Sequence, residues 1–75
     1  MWQSVEYYKA LANPKRLAIL KLLEEHEQSV GEIVYKLKLR QSNVSQHLRL
    51  LRRVGIIKKR RKGKYLLYQL EKRAL

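Results

Sequence analysis

The chain has 75 residues, which is enough for one domain around a small hydrophobic core. The chain has 18 Lys and Arg residues and 6 acidic residues, so its formal net charge is +12. This excess indicates a polyanionic partner, and nucleic acid is favoured over a membrane because no apolar run approaches the roughly 18 residues of a spanning helix. Cysteine is absent, which excludes disulfides, thiolate metal sites and a cysteine nucleophile.

The same sequence shows no catalytic constellation and no phosphate-cradling glycine loop, so we do not expect an enzyme. The first residues lack the basic segment and apolar stretch of a signal peptide. The expected location is therefore the cytoplasm, in association with the nucleoid.

Two helices are predicted in the first third of the chain, over about Gln3–Ala12 and about Pro14–Glu25. Asn13 is a good N-cap residue, and the one proline follows it at the first helical position, where proline is tolerated. Apolar residues spread around much of the second helix, which predicts that it lies at the centre of the domain. These residues are Leu17, Ile19, Leu20, Leu22 and Leu23.

A helix-turn-helix is predicted over about residues 29–54. Ser29 and Glu32 have the spacing of a capping box at the start of a short third helix. Its inward face is supplied by Val30, Ile33, Val34 and Leu37. The tight link Lys38-Leu39-Arg40 then leads to a fourth helix, about Ser42–Val54, and such a short connection is typical of this motif.

The fourth helix separates its residues into two faces. Val44, Leu48 and Leu51 form an apolar stripe that can pack on a core. Within roughly 100° of arc on the other side lie hydroxyls, an amide and guanidiniums, with no carboxylate in the segment. These residues are Ser42, Ser45, Gln46, Arg49 and Arg53. Such donors can bind base edges in the major groove, and Arg can bind phosphate or guanine. The alternative interpretation is an ordinary solvated helix face.

Gly55 ends the fourth helix, and a basic hairpin follows over about residues 56–70. Ile56-Ile57 begins a strand, Arg61-Lys62-Gly63 is the predicted turn, and Tyr65–Leu70 returns with Leu66, Tyr68 and Leu70 on one side. The hairpin is interpreted as a wing whose basic side chains contact the DNA backbone without specifying sequence. The expected contacts are Lys59, Arg60, Arg61, Lys62 and Lys64. Alternatively, the charges only keep an edge strand from pairing.

The predicted fold class is mostly α with a small β-hairpin, a winged helix-turn-helix that fills residues 1–75 as a single domain. Four stretches, spanning about residues 6–70, resemble the ArsR/SmtB family of bacterial and archaeal repressors. They are Leu11–Leu20 with its Ala-Asn-Pro-x-Arg-Leu string, Gln41–Arg52, Gly55–Ile57 and Gly63–Leu70. The resemblance implies a homodimer that binds double-stranded operator DNA.

By the same resemblance, the N-terminal half of the fourth helix reads the DNA. This carries over to Gln41, Ser42, Ser45 and Gln46, with Asn43 as a further contact. The family often has a Ser or Thr helix cap where Arg40 stands. Either Ser42 caps a helix that begins later, or Arg40 contacts phosphate.

No metal site and no cofactor are expected. His26 and His47 lie in different elements without a cysteine, which is a weak metal signal. A helix-packing or phosphate contact explains His47. In the family's metal sensors, one site uses cysteines in the stretch that matches Gln28–Glu32, where Ser29 and Gly31 stand here. The other uses a C-terminal dimer helix, and the chain ends at Leu75. No metal inducer is therefore expected.

The first helix is expected to supply part of a homodimer interface through Trp2, Val5 and Tyr8. A chain this small seldom builds a sufficient core alone, and Trp and Tyr are favoured at interfaces. The alternative is that these residues pack only on the second helix.

The function predicted from these observations is a sequence-specific DNA-binding transcription regulator, expected to be a repressor acting at an inverted repeat. One alternative is a nucleoid-type or structured-RNA binder without sequence preference. Phosphate contacts alone, however, could be satisfied by lysines, and the hydroxyl and amide donors favour reading of bases. A second alternative, a winged-helix module for protein interactions, would have no use for the net charge of +12.

Overall fold

The computed structural model describes residues 5–72, which form four helices and three short strands. In chain order these are α1 (Val5–Leu11), α2 (Pro14–Glu25), β1 (Gln28–Ser29), α3 (Val30–Leu37), α4 (Gln41–Arg53), β2 (Ile57–Lys62) and β3 (Tyr65–Leu70). The order confirms the predicted winged helix-turn-helix fold.

The predicted starts of the second and third helices are confirmed, whereas the predicted start of the first, at about Gln3, lies outside the described residues. Asn13 Oδ1 accepts hydrogen bonds from the backbone N–H groups of Lys15, at 2.9 Å, and Arg16, at 3.1 Å. Ser29 Oγ accepts from the Glu32 N–H at 3.2 Å, while Glu32 Oε1 accepts from the Ser29 N–H at 2.8 Å. These side chains satisfy donors that the first turn of a helix leaves unpaired.

The end of α4 is also confirmed at Gly55, which has φ +85°. The Gly55 N–H donates to the Arg52 carbonyl and the Ile56 N–H to the Leu51 carbonyl, each at 3.0 Å. This pair of bonds is a Schellman motif, in which the residue after the C-cap takes the left-handed conformation that glycine adopts readily. It sets the angle at which the chain leaves α4 for the wing.

The three strands form an antiparallel sheet in the order β1-β3-β2. The predicted turn at Arg61-Lys62-Gly63 was wrong, because Lys62 pairs with Tyr65 and the loop contains only Gly63 and Lys64. Gly63 has φ +62°, as the first position of a two-residue hairpin loop requires. Strand β1, whose Gln28 pairs with Tyr68, was not predicted from the sequence.

The core lies between the helices and one face of the sheet, and four helices and both long strands contribute to it. Its buried residues are Tyr7, Ala10, Ile19, Leu20, Leu23, Ile33, Val44, Leu48, Leu51, Ile56, Ile57 and Tyr68. The prediction that α2 is buried on most sides was wrong at Leu17, which is 48% exposed. Leu66, predicted on the same side of the strand as Tyr68, is 38% exposed.

Within residues 5–72, no helix is both long and apolar enough to cross a membrane.

Candidate nucleic-acid interface

Helix α4 is held on the core by Val44, Leu48 and Leu51, whose side chains are at most 1% exposed. Because one side of the helix is fixed in this way, the opposite side is turned outward. That side carries Ser42, Gln46, Arg49 and Arg53, all exposed, while Ser45 and Asn43 on its flanks are partly buried. The geometry therefore brings the predicted polar face together on one surface.

The start of α4 excludes one of the two alternatives stated for Arg40, namely that Ser42 caps a helix that begins later. The helix begins at Gln41, one residue earlier than predicted, and Ser42 lies inside it. Ser42 is therefore not the N-cap. Arg40 occupies that position with extended backbone, and its side chain makes no capping hydrogen bond. The first backbone N–H groups of α4 point out of the helix without a side-chain cap from Arg40, which leaves donors and a positive dipole end at the surface.

In the wing, all residues from Lys58 to Lys64 are exposed. Directly paired residues of an antiparallel ladder share a face, and neighbours along a strand alternate. Lys59 is paired with buried Tyr68, and Arg61 with Leu66, so both lie on the sheet face that is turned towards the helices. Arg60 is paired with Leu67 and lies on the opposite face.

Arg60 forms an ion pair with Glu27, a contact that was not predicted from the sequence. Its Nε donates to Glu27 Oε2 at 2.9 Å, and its Nη2 donates to Oε1. The hydrogen bonds from Arg60 hold the pKa of the Glu27 carboxyl below its usual value, and the pKa of Arg60 is raised in turn. The positive charge of Arg60 is thus already balanced on the outer face of the sheet.

His47 contacts Arg16 rather than lying free on the helix surface. Arg16 Nη1 is 3.3 Å from His47 Nδ1. Partial burial lowers the pKa of His47, and the positive charges of Arg16 and Lys15 lower it further. This supports the helix-packing explanation of His47.

The candidate dimer residues lie on α1 where they are described. Val5 is 69% exposed and Tyr8 is 57% exposed. Trp2 lies outside the described residues. Tyr7, which was not singled out from the sequence, is buried instead and packs its ring edge-to-face against Tyr8 with centroids 5.5 Å apart.

One further residue, Gln28, was missed because its role depends on the fold. Gln28 is fully buried, with Nε2 donating to the Leu22 carbonyl at 3.1 Å and Oε1 accepting from Lys36 Nζ at 3.2 Å. It links the end of α2 to α3. The one available signal was its position directly before the capping box.

Among residues 5–72, no three His, Cys or acidic side chains cluster as a metal site would require.

Comparison with known proteins gives the family. Residues 13–59 match the arsR family of bacterial regulatory proteins, and this segment runs from the N-cap of α2 into β2. The chain belongs to the ArsR family. The family consists of regulatory proteins, not enzymes, which agrees with the expectation from the sequence.

Among ArsR-type relatives, the transcriptional activator HlyU of Vibrio cholerae is 44% identical over 91% of this chain and 63% of its own length. A biofilm growth-associated repressor of Agrobacterium fabrum is 45% identical over 83% of this chain and 53% of its own length. The chain thus spans between about half and two thirds of these relatives.

Solved structures of the family superpose closely. The HlyU structure matches with a TM-score of 0.82 and 45% identity, covering 89% of this chain and 73% of HlyU. The homodimeric winged helix-turn-helix DNA-binding domain of a possible ArsR-family regulator from Mycobacterium bovis matches with a TM-score of 0.83 and 33% identity. That match covers 88% of this chain and 61% of the other.

Proposed function

We propose that this ArsR-family chain is a homodimeric, sequence-specific DNA-binding transcription regulator that represses by occluding RNA polymerase. The observation that carries the proposal is the outward face of α4. It presents hydroxyls, an amide and guanidiniums on a helix anchored by three buried residues, and no acidic residue occurs between Ile33 and Leu70. Solvated helix faces ordinarily mix both signs of charge, whereas a surface for DNA needs donors and positive charge.

The reading residues of this proposal are the exposed or partly exposed side chains of α4. Gln46 and Ser42 lie one turn apart on the outward face, where an amide can pair bidentately with adenine and a hydroxyl can bond a base edge. Gln41, Asn43 and Ser45 flank them in the same half of the helix, and Arg49 follows one turn later.

The start of α4 is proposed as a phosphate contact. Arg40 is exposed and its side chain is not used as a cap, and the helix has no acidic residue in its first turn. Uncapped backbone N–H groups and a helix dipole both favour an anion at this position. A phosphate there would set the depth at which α4 enters the groove.

The wing is proposed as a second contact with the DNA backbone, independent of sequence. Lys59 and Arg61 lie on the sheet face turned towards the helices, and Lys64 is in the exposed loop at the tip. Lys62 and Arg60 lie on the outer face. Because Arg60 is already paired with Glu27, we expect it to contribute least among the five basic residues to the salt dependence of DNA binding.

Dimerisation is proposed to use the exposed side of α1, with Val5 and Tyr8 at its centre. The homodimeric state of the domain from Mycobacterium bovis supports dimerisation itself, and the exposure of these two apolar side chains supports the choice of α1. A two-fold dimer places two α4 helices in successive major grooves, so the expected site is an inverted repeat with half-sites about 34 Å apart. Such a protein would act on the nucleoid, in the cytoplasm.

No metal inducer is proposed, because Ser29 caps α3 and Gly31 has no side chain where thiolates would be needed. As for the direction of regulation, one of the relatives is named an activator and one a repressor. Occlusion needs only a bound dimer at a promoter, which is why repression is the proposed outcome.

Selection of bound duplexes from a random DNA pool tests the proposal. We expect the bound fraction to share an inverted repeat with half-sites one helical turn apart. Recovery of duplexes without a common sequence would favour the nonspecific binder instead. A chain that retains no nucleic acid at low salt, despite its charge, would favour the protein-interaction module.

A further inference from the structure

Arg16 joins three helices through a single side chain. Its Nε donates to the Ala10 carbonyl at 2.7 Å and its Nη2 to the Lys9 carbonyl at 3.0 Å. Both carbonyls belong to the last turn of α1, and the Lys9 carbonyl also accepts from the Ala12 N–H at 3.2 Å. The remaining nitrogen, Nη1, lies 3.3 Å from His47 Nδ1 on α4. One planar guanidinium on α2 therefore fixes both α1 and α4.

The contact with His47 requires a particular state of the imidazole ring. A guanidinium can only donate hydrogen bonds, so Nδ1 must be an acceptor and the proton of the neutral ring must be on Nε2. Protonation of Nδ1 would remove the acceptor and place two cations in contact. The charged groups acting on the ring are Arg16 and Lys15 of α2, both positive, and α1 meets Arg16 through backbone carbonyls. No carboxylate within residues 5–72 offsets these charges at the ring.

We infer that Arg16 is a positioning residue that sets the orientation of the DNA-reading helix relative to the dimer helix, through a neutral His47. The inference rests on the proposed function, because that proposal assigns base reading to α4 and subunit contact to α1. His47 directly follows Gln46 in α4, so a shift at the ring moves the proposed reading side chain. Bidentate contacts tolerate displacements of only about 0.5 Å, which makes the helix orientation important for specificity.

This positioning role and a phosphate contact by His47 predict opposite effects of acidification on DNA binding. If His47 bound phosphate, acidification would charge the ring and strengthen binding to every duplex. If His47 positions α4 by accepting from Arg16, acidification breaks the contact and lowers the preference for the selected duplex over random DNA. The ratio of the two affinities, measured against pH, separates the two roles.

The test compares wild type with variants of the full chain. Arg16→Lys keeps the charge but loses the planar set of donors, and His47→Leu removes the acceptor. His47→Asn places an amide oxygen near the position of Nδ1 and cannot titrate in this range. Lys15→Gln removes the neighbouring charge and is the control. Each variant is titrated with the selected and a random duplex between about pH 7.5 and about pH 4.5, a range that extends well below the ordinary pKa of histidine because the pKa of His47 is lowered.

At the upper pH we expect Arg16→Lys and His47→Leu to lower the selected-to-random ratio about three- to tenfold, as loss of one hydrogen bond implies. Lys15→Gln and His47→Asn should keep the wild-type ratio. On acidification the ratio should fall for wild type and stay constant for His47→Asn. This last comparison needs no change at Arg16 and remains informative if the Arg16 variant does not fold.

A wild-type ratio independent of pH, or affinities for both duplexes that rise together on acidification, would overturn the inference. So would unchanged ratios in Arg16→Lys and His47→Leu. Failure of the proposed function is distinguishable, because wild type would then prefer no duplex at any pH.

Discussion

The guanidinium of Arg60 reaches across β3 and donates through two nitrogens to the carboxylate of Glu27. The wing is thereby tied to the segment before β1, on the sheet face away from the helices. Arg61, one residue later, lies on the other face beside Leu66 and has no such acidic partner among residues 5–72. Adjacent arginines in the same strand therefore have different expected roles.

This difference predicts unequal effects on the salt dependence of DNA binding. Arg61→Ala should reduce the slope of log K against log salt by about 0.9, the value for one lost phosphate contact per site. In Arg60→Ala the slope should change less, since Glu27 already balances its charge. Titration of one duplex at several salt concentrations gives both slopes. Equal reductions would mean that Arg60 leaves Glu27 to bind DNA.

The Glu27–Arg60 pair also predicts a dependence of stability on pH. The pKa of Glu27 is lowered in the folded state, chiefly by the hydrogen bonds from Arg60. Its contribution is fully present above the ordinary pKa of an unfolded glutamate, and it is lost as the pH falls through the lowered folded value. Between about pH 6 and about pH 3, wild type should lose more stability than Glu27→Gln in urea unfolding. Parallel curves for the two proteins would show that the pair does not persist in solution.

Replacing the buried Gln28 should reduce stability more than replacing an exposed glutamine. Gln28→Leu keeps a side chain of similar size but leaves the Leu22 carbonyl and the Lys36 ammonium without this partner. We expect a loss of about 1–3 kcal/mol in the free energy of unfolding. The control is Gln41→Leu at an exposed position, where the change should stay within about 0.5 kcal/mol. A loss no larger than that of the control would contradict the role assigned to Gln28.

The proposed dimer surface predicts that charge on α1 weakens association. Tyr8→Glu and Val5→Glu place carboxylates on the exposed side of α1, and burying an unpaired charge at an interface is costly. Sedimentation equilibrium should show monomers at concentrations where wild type is dimeric. Tyr35→Glu, at a position on α3 that is 80% exposed, is the matched control and should remain dimeric. If the Tyr8→Glu protein is still dimeric, the interface does not lie on this side of α1.

Local sequence signals predicted those features that are decided by neighbouring residues. Asn13-Pro14 determined the start of α2, Ser29 and Glu32 the start of α3, and Gly55 the end of α4. In each case the backbone groups to be satisfied lie within a few residues of the side chain or glycine that satisfies them. The apolar period of α4 likewise predicted which of its residues are buried.

Contacts between distant residues could not be predicted in this way. Arg16 and His47 are 31 positions apart, and Glu27 and Arg60 are 33 apart. Strand β1 has only two residues and exists because β3 pairs with it. The turn after β2 was placed too early, because pairing of Arg61 and Lys62 with β3 decides their conformation.

Base reading by α4 is the central claim, and one comparison of two variants tests it most directly. Gln46→Ala and Lys64→Ala are each titrated with the selected duplex and with random DNA at one salt concentration. If Gln46 reads a base, its removal should cost about 1–3 kcal/mol per half-site on the selected duplex and little on random DNA. Lys64→Ala should weaken binding to both duplexes to a similar degree, as loss of a phosphate contact does. If Gln46→Ala and Ser42→Ala both leave the selected-to-random ratio unchanged, α4 does not read sequence and the chain is a nonspecific binder.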